Sequence, residues 1–220
     1  MDIEYSRPAD IEKRSMELIS REMKTVPPKY HAPVIRRVIH TTADFEYEQT
    51  LVFSGNAVTS ALTALRAARS SAESDILSSV TIVTDTNMAL SGINKGALSR
   101  LNCRAVCYMA DPAVAEDAER RGVTRAAVSM EKAAELKGPL IFAIGNAPTA
   151  LIELYEMMQS GKYRPAFIIG VPVGFVNVEA AKDLILKTDV PYIINRGRKG
   201  GSNIAAAICN ALLYELRDKN

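Results

Sequence analysis

The sequence predicts an α/β protein in which a helical N-terminal part precedes a doubly wound, five-stranded parallel sheet. From about residue 76 onward, short β-branched runs alternate with helical stretches, the pattern of strands joined by crossover helices. Each run is apolar almost without interruption, as strands covered on both faces must be. The chain has 220 residues, 48% apolar and 24% charged, which fits one globular unit with a substantial core. We therefore expect a single domain over residues 1–220, helical to about residue 75 and α/β beyond it.

Each element has its own signal. "PADIEKRSMELISREMK" reads as the first helix, with Pro8 in its first turn and Ile11, Leu18 and Ile19 apolar, while Ser15 lies on a neighbouring face. "PPK" at 27–29 ends that region. Val34, Ile35, Val38 and Ile39 then form the i, i+1, i+4, i+5 stripe of a second helix. The Ala- and Leu-rich "NAVTSALTALRAARS" predicts a third, with Asn56 placed to cap it. The five strands are "VTIVTD" (80–85), "RAVCYM" (104–109), "PLIFAIG" (139–145), "AFIIGV" (166–171) and "PYIIN" (191–195). Between them, Asp111-Pro112 opens a helix that Gly122 closes, and Pro148 opens one that Gly161 closes.

Charge and cysteine usage exclude several classes. With 27 basic and 25 acidic residues the net charge is +2, which argues against a nucleic-acid or membrane-surface partner. The three cysteines include Cys103 and Cys107, whose spacing is not that of a zinc ribbon and which have no histidine nearby. They read as small core residues in a reducing compartment, with no metal bound. "MDIEYSRPAD" lacks the apolar stretch of a secretory leader, and no run reaches the roughly 18 apolar residues of a membrane span. A cytoplasmic location is expected.

Sheets of this kind bind ligands outside the carboxyl ends of their strands. The loops there are "TDTNM" (84–88), "IGNAPTAL" (144–151), "GVPVGFV" (170–176) and "NRGRKGGSNIAAA" (195–207). In the last, Arg196, Arg198 and Lys199 flank Gly197, Gly200 and Gly201, and Ser202 is placed to cap the helix that follows. Free backbone N–H groups, a helix N-terminus and cations together describe an anion site. Neither GxxxxGK[ST] nor GxGxxG is present, so carboxylates fit better than the phosphates of a nucleotide or flavin.

One of the two histidines stands out, in "VIRRVIHTTADFEY". His40 shares a helix face with Arg36 and Arg37, away from the apolar stripe. An anionic ligand neutralising those arginines would favour the protonated ring, which suits a proton donor switched on by its substrate. A surface or structural histidine is the plainer alternative.

The segments "RSMELIS", "RRVIHTTADFEY", "TDTNMALSGI", "GVTRAAV", "AIGNAPTAL", "GVPVGFVNVEAAKD" and "RGRKGGSNIAAAICNAL" resemble the precorrin-8X (cobalt-precorrin-8) methylmutase family, in the family's order and over essentially the whole chain. The resemblance implies a flavodoxin-like sheet and a homodimer with active sites at the subunit interface. It also implies an isomerase of cobalamin biosynthesis. That enzyme converts (cobalt-)precorrin-8 to hydrogenobyrinate or cobyrinate by moving a methyl group from ring carbon 11 to carbon 12. The methyl never leaves the tetrapyrrole, so no methyl donor or other cofactor is implied, and any cobalt belongs to the substrate. His40 matches the family's proton donor to a ring nitrogen. Ser15, Arg37 with the adjoining Thr41, and Arg125 match substrate-contacting positions. Asp85, Asn146, Gly174 and the run Arg196, Gly197, Arg198, Gly200, Gly201 and Ser202 match motifs lining the cleft. Asp85 and Asn146 also fit helix caps, Gly174 a simple turn, and Arg125 a surface position. The competing function is a non-catalytic tetrapyrrole carrier of the same pathway, which needs the cleft but not His40.

Overall fold

Apolar runs and helix stops place the elements where the physics predicts them, within the residues that the computed structural model describes, 7–70 and 79–216. The first part contains α1 (Pro8–Glu22), α2 (Ala32–Thr42), α3 (Tyr47–Thr50), β1 (Leu51–Phe53) and α4 (Ala57–Ser70). The second contains β2 (Thr81–Thr84), α5 (Asn87–Gly92), α6 (Lys95–Arg100), β3 (Arg104–Val106), α7 (Pro112–Arg121) and α8 (Arg125–Ala134). It continues through β4 (Leu140–Ile144), α9 (Pro148–Gln159), β5 (Phe167–Gly170), α10 (Val178–Leu186), β6 (Tyr192–Asn195) and α11 (Ser202–Tyr214). The expected boundary at residues 75–76 lies outside the described residues.

All five expected strands form and run parallel, but the sheet has six strands, in the order β1-β6-β5-β4-β2-β3. The sixth, β1, pairs antiparallel with β6, Leu51 opposite Asn195 and Phe53 opposite Ile193. It corrects both the five-strand count and the purely helical N-terminal part. Three residues following a single helical turn are too few to show a period-2 pattern, so only pairing with β6 makes this segment a strand.

The inner strands β2, β4, β5 and β6 are buried on both faces, their apolar side chains alternating between two cores. Ile141 and Ala143 of β4 join the core under α2, α4, α6 and α11, while Leu140, Phe142 and Ile144 join the core under α8, α9 and α10. The α2 stripe of Val34, Ile35, Val38 and Ile39 is buried against the first core, at most 4% exposed. That burial sends Arg36, Arg37 and His40 to the other side of the helix. Asp111 caps α7 through a 3.0 Å bond from the Ala113 N–H, and Gly122 ends that helix in the left-handed conformation. Cys103 and Cys209 are buried and Cys107 is half-buried, all as free thiols. Among the described residues no helix is long and apolar enough to cross a membrane.

Candidate active site

Strand order reverses at β2, which lies between β3 and β4, so the crevice of the fold opens between the carboxyl ends of β2 and β4. Asp85 stands there, fully buried. Its carboxylate accepts the N–H groups of Gly145 at 2.9 Å, Asn146 at 2.7 Å and Ala147 at 2.6 Å. Burial pushes the Asp85 carboxyl up from the ordinary aspartate range, and the three N–H donors pull against that shift. Asp85 therefore stitches two loops together through its carboxylate. The cap of α5 comes from the next residue, Thr86, whose hydroxyl accepts the Ala89 N–H.

The Arg196–Ser202 loop packs against this crevice. A Cβ on Gly145 would lie 2.7 Å from Ser202 Cα and 2.8 Å from the Gly201 carbonyl oxygen, so only glycine allows the approach. Gly200 is tighter still, its hypothetical Cβ 2.1 Å from the Val171 carbonyl oxygen. The Gly174 N–H donates to the Arg198 carbonyl at 3.2 Å, which ties the 171–177 turn to the same loop. Ser202 departs from its expected role. Gly201 is the N-cap of α11, and the Ser202 hydroxyl instead lies 2.7 Å from that of Thr86, because the tight approach turns it toward α5.

The cations of the loop are less free than the sequence suggests. Lys199 Nζ binds Asp44 at 2.6 Å and Glu46 at 2.7 Å, and Arg198 Nε lies 3.3 Å from Glu179 and over the Phe175 ring. The lysine holds Asp44 below the usual carboxylate range. Among the described residues, Arg196 is the cation of this loop with no ion pair, and it is exposed. From beneath, the buried Lys182 of α10 donates to the carbonyls of Gly197 at 2.7 Å and Lys199 at 2.9 Å. Burial pushes the Lys182 ammonium down to about 8, which leaves it mostly protonated at neutral pH.

His40 closes α2 as an exposed side chain at the mouth of a groove of about 280 Å³. Arg37 and Thr41 line the groove with it, facing Gly92 and the Asn203, Ala206, Ala207 and Asn210 stripe of α11. That stripe has i, i+3, i+4, i+7 spacing, and its alanines leave room for a ligand where larger residues would fill the space. Sequence reasoning missed it, although small and polar residues at helical spacing in an otherwise apolar helix are a legible signal. The groove and the anion loop are neighbours, since Asn203 follows the loop directly and Lys199 ties it to Asp44, just beyond α2.

Four positions fit the sequence reading less closely. Arg36, expected to sit over His40, points elsewhere and bonds Ser20 at 3.1 Å, while Arg37 bonds Glu12 at 2.6 Å and lies over the Tyr214 ring. Both arginines are thus engaged before any substrate arrives. Ser15 does not line the groove; its hydroxyl turns back to the Ile11 carbonyl at 2.9 Å. Arg125 is the exposed first residue of α8, on the opposite face of the sheet from α2 and α11, so one chain does not bring it to His40. The site as built offers an exposed imidazole, an arginine, small-residue walls and a glycine-rich loop of backbone donors. Among the described residues no cluster of His, Cys, Asp and Glu is arranged to hold a metal ion.

Known proteins resemble this chain along most of its length. The profile of the precorrin-8X methylmutase family matches residues 10–215. A cobalt-precorrin-8 methylmutase of Salmonella typhimurium is 42% identical, over 96% of this chain and 97% of that protein. One from Methanothermobacter thermautotrophicus is 40% identical, over 92% and 89%. The crystal structure of a precorrin-8x methyl mutase from Thermus thermophilus superposes with a TM-score of 0.81 at 36% identity, over 93% of this chain and 96% of that one. In sequence and in fold alike, the chain belongs to the precorrin-8X methylmutase family.

Proposed function

We propose that this chain is an isomerase of cobalamin biosynthesis that moves a methyl group from ring carbon 11 to ring carbon 12 of (cobalt-)precorrin-8. The observation that carries the reading is His40, exposed at the mouth of a groove beside a loop of anion-binding character. A polycarboxylate macrocycle needs donors around its rim and one proton donor at the reacting ring, and this groove supplies both. Protonating the ring system makes it a better acceptor for the migrating methyl, and the 1,2 shift conserves every atom of the substrate. Arg37 and Thr41 would contact the macrocycle from α2, and the loop from Arg196 to Ser202 its carboxylates. Asp85, Asn146 and Gly174 would act by shaping the loops. Incubation with precorrin-8 or its cobalt form should convert the substrate absorption spectrum to that of the corrin product. An unchanged spectrum at high protein concentration would remove the enzyme reading and favour the carrier.

The order of the parallel strands, β3-β2-β4-β5-β6, supports a flavodoxin-like arrangement, extended by the antiparallel edge strand. Free thiols, two buried and one half-buried, support a protein acting in the reducing cytoplasm.

A homodimer completes the site in this reading. The groove lies just below the roughly 300–1,000 Å³ of ordinary ligand pockets and is too small to enclose a tetrapyrrole. Phe175 and Val176 are 84% and 77% exposed beside the anion loop, an apolar edge that a second copy would cover. Arg125, remote from His40 in one chain, would then serve the partner's cleft. Light scattering should give twice the chain mass at micromolar concentration; an active monomer would contradict the shared cleft.

A further inference from the structure

Lys182 is buried, 1% exposed, in a helix that touches no part of the groove, and the reading above leaves it without a role. A methionine would fill the same space without the desolvation that a buried ammonium suffers. What the ammonium does is hold the loop. With Asn195, whose Nδ2 donates to the Lys199 carbonyl at 2.8 Å, and the Gly174 N–H on the Arg198 carbonyl, it secures three successive carbonyls: Gly197, Arg198 and Lys199.

In a trans peptide the carbonyl and the following N–H point in opposite directions. Turning those carbonyls toward donors within the fold turns the N–H groups of Arg198, Lys199 and Gly200 away from them. Among the described residues none of these three N–H groups has an acceptor. The Gly197 N–H likewise has none, whereas Arg196 donates to Thr50 and Gly201 to Val171, which bounds the open stretch on both sides. The two long cations beside them, Arg198 and Lys199, are held by carboxylates, so these backbone amides and the exposed Arg196 are the parts of the loop left open to an incoming anion.

We propose that Lys182 is a positioning residue of the substrate site. It fixes the carbonyls of Gly197 and Lys199 so that the N–H groups of Arg198, Lys199 and Gly200 receive a substrate carboxylate. This rests on the reading that a polycarboxylate tetrapyrrole occupies the cleft.

Hydrogen exchange on the unaltered protein, with and without saturating hydrogenobyrinate or cobyrinate, tests it directly. Exchange at Arg198, Lys199 and Gly200 should be fast in the free protein and slow in the complex. Lys182→Met should fold, abolish that slowing, and raise KM and the product Kd about tenfold, the equivalent of one charge-assisted hydrogen bond. Its kcat should change by less than about threefold, because the contact is made equally in ground and transition states. Lys182→Arg, which keeps a charged donor, should recover part of the affinity. A merely structural lysine would lower the unfolding midpoint and leave KM alone. Product bound tightly with no slowing at the three amides overturns the proposal even if Lys182→Met fails to fold, and so does a folded Lys182→Met with wild-type KM. A chain that binds no product at all loses the functional reading as well.

Discussion

His40→Ala should fold and bind the corrin product, yet isomerise precorrin-8 or its cobalt form at least about a hundredfold more slowly, within the usual range for a lost acid–base group. The side chain is exposed and off the buried stripe of α2, so its removal should change stability by no more than roughly 0.5 kcal/mol. The control is built into the chain. His31, the other histidine, stacks on Phe53 with ring centroids 4.0 Å apart, and burial pushes its imidazole below the ordinary range. His31→Ala should cost packing and leave turnover per folded molecule nearly unchanged. Single-turnover spectra of both variants separate the roles. Normal turnover by His40→Ala, or an equal loss in both variants, would make His40 a surface residue and restore the carrier reading.

The largest loss of stability is expected at Asp85. Its carboxylate accepts three backbone N–H groups between 2.6 and 2.9 Å in a fully buried setting. Asp85→Ala leaves those donors without an acceptor, at about 1–3 kcal/mol for each N–H that neither relaxes nor finds water. We expect a total of about 3–5 kcal/mol, which removes much of the typical ~5–15 kcal/mol of a domain. Asp85→Asn keeps one acceptor oxygen but sets an amide NH2 against at least one of the donors, so it should fall between the two. Urea unfolding followed by circular dichroism measures the midpoints. If Asp85→Ala keeps wild-type stability and instead loses affinity for product, the residue contacts substrate and its bonds to the 145–147 turn are incidental.

Asp85 also shows where sequence reading stops. Its position at the carboxyl end of a strand was legible, and so was a loop worth attention; whether the carboxylate faces ligand or backbone was not, because Gly145 to Ala147 lie 60 and more residues away. The same holds for Lys199. Three cations among glycines read as a free anion trap, yet Asp44 and Glu46 already hold the lysine from more than 150 residues earlier in the chain.

Local period and punctuation were enough to make most of the architecture legible. Near-continuous apolar runs announced β2 to β6, Asp111 and Gly122 bounded α7, and the Val34–Ile39 stripe already turned His40 away from the core. Family motifs carried the function. The tertiary structure alone decided the rest. β1 exists only because β6 offers it a ladder, and the groove exists because α11 brings its small-residue stripe beneath α2. Lys182 reads in "VEAAKDLIL" as an ordinary helix cation. It became a buried anchor because the packing of α10 aims it at two carbonyls that no local pattern places there. Periodicity along a chain sets which side of an element is apolar. Which distant group meets that side is set only when the whole core closes.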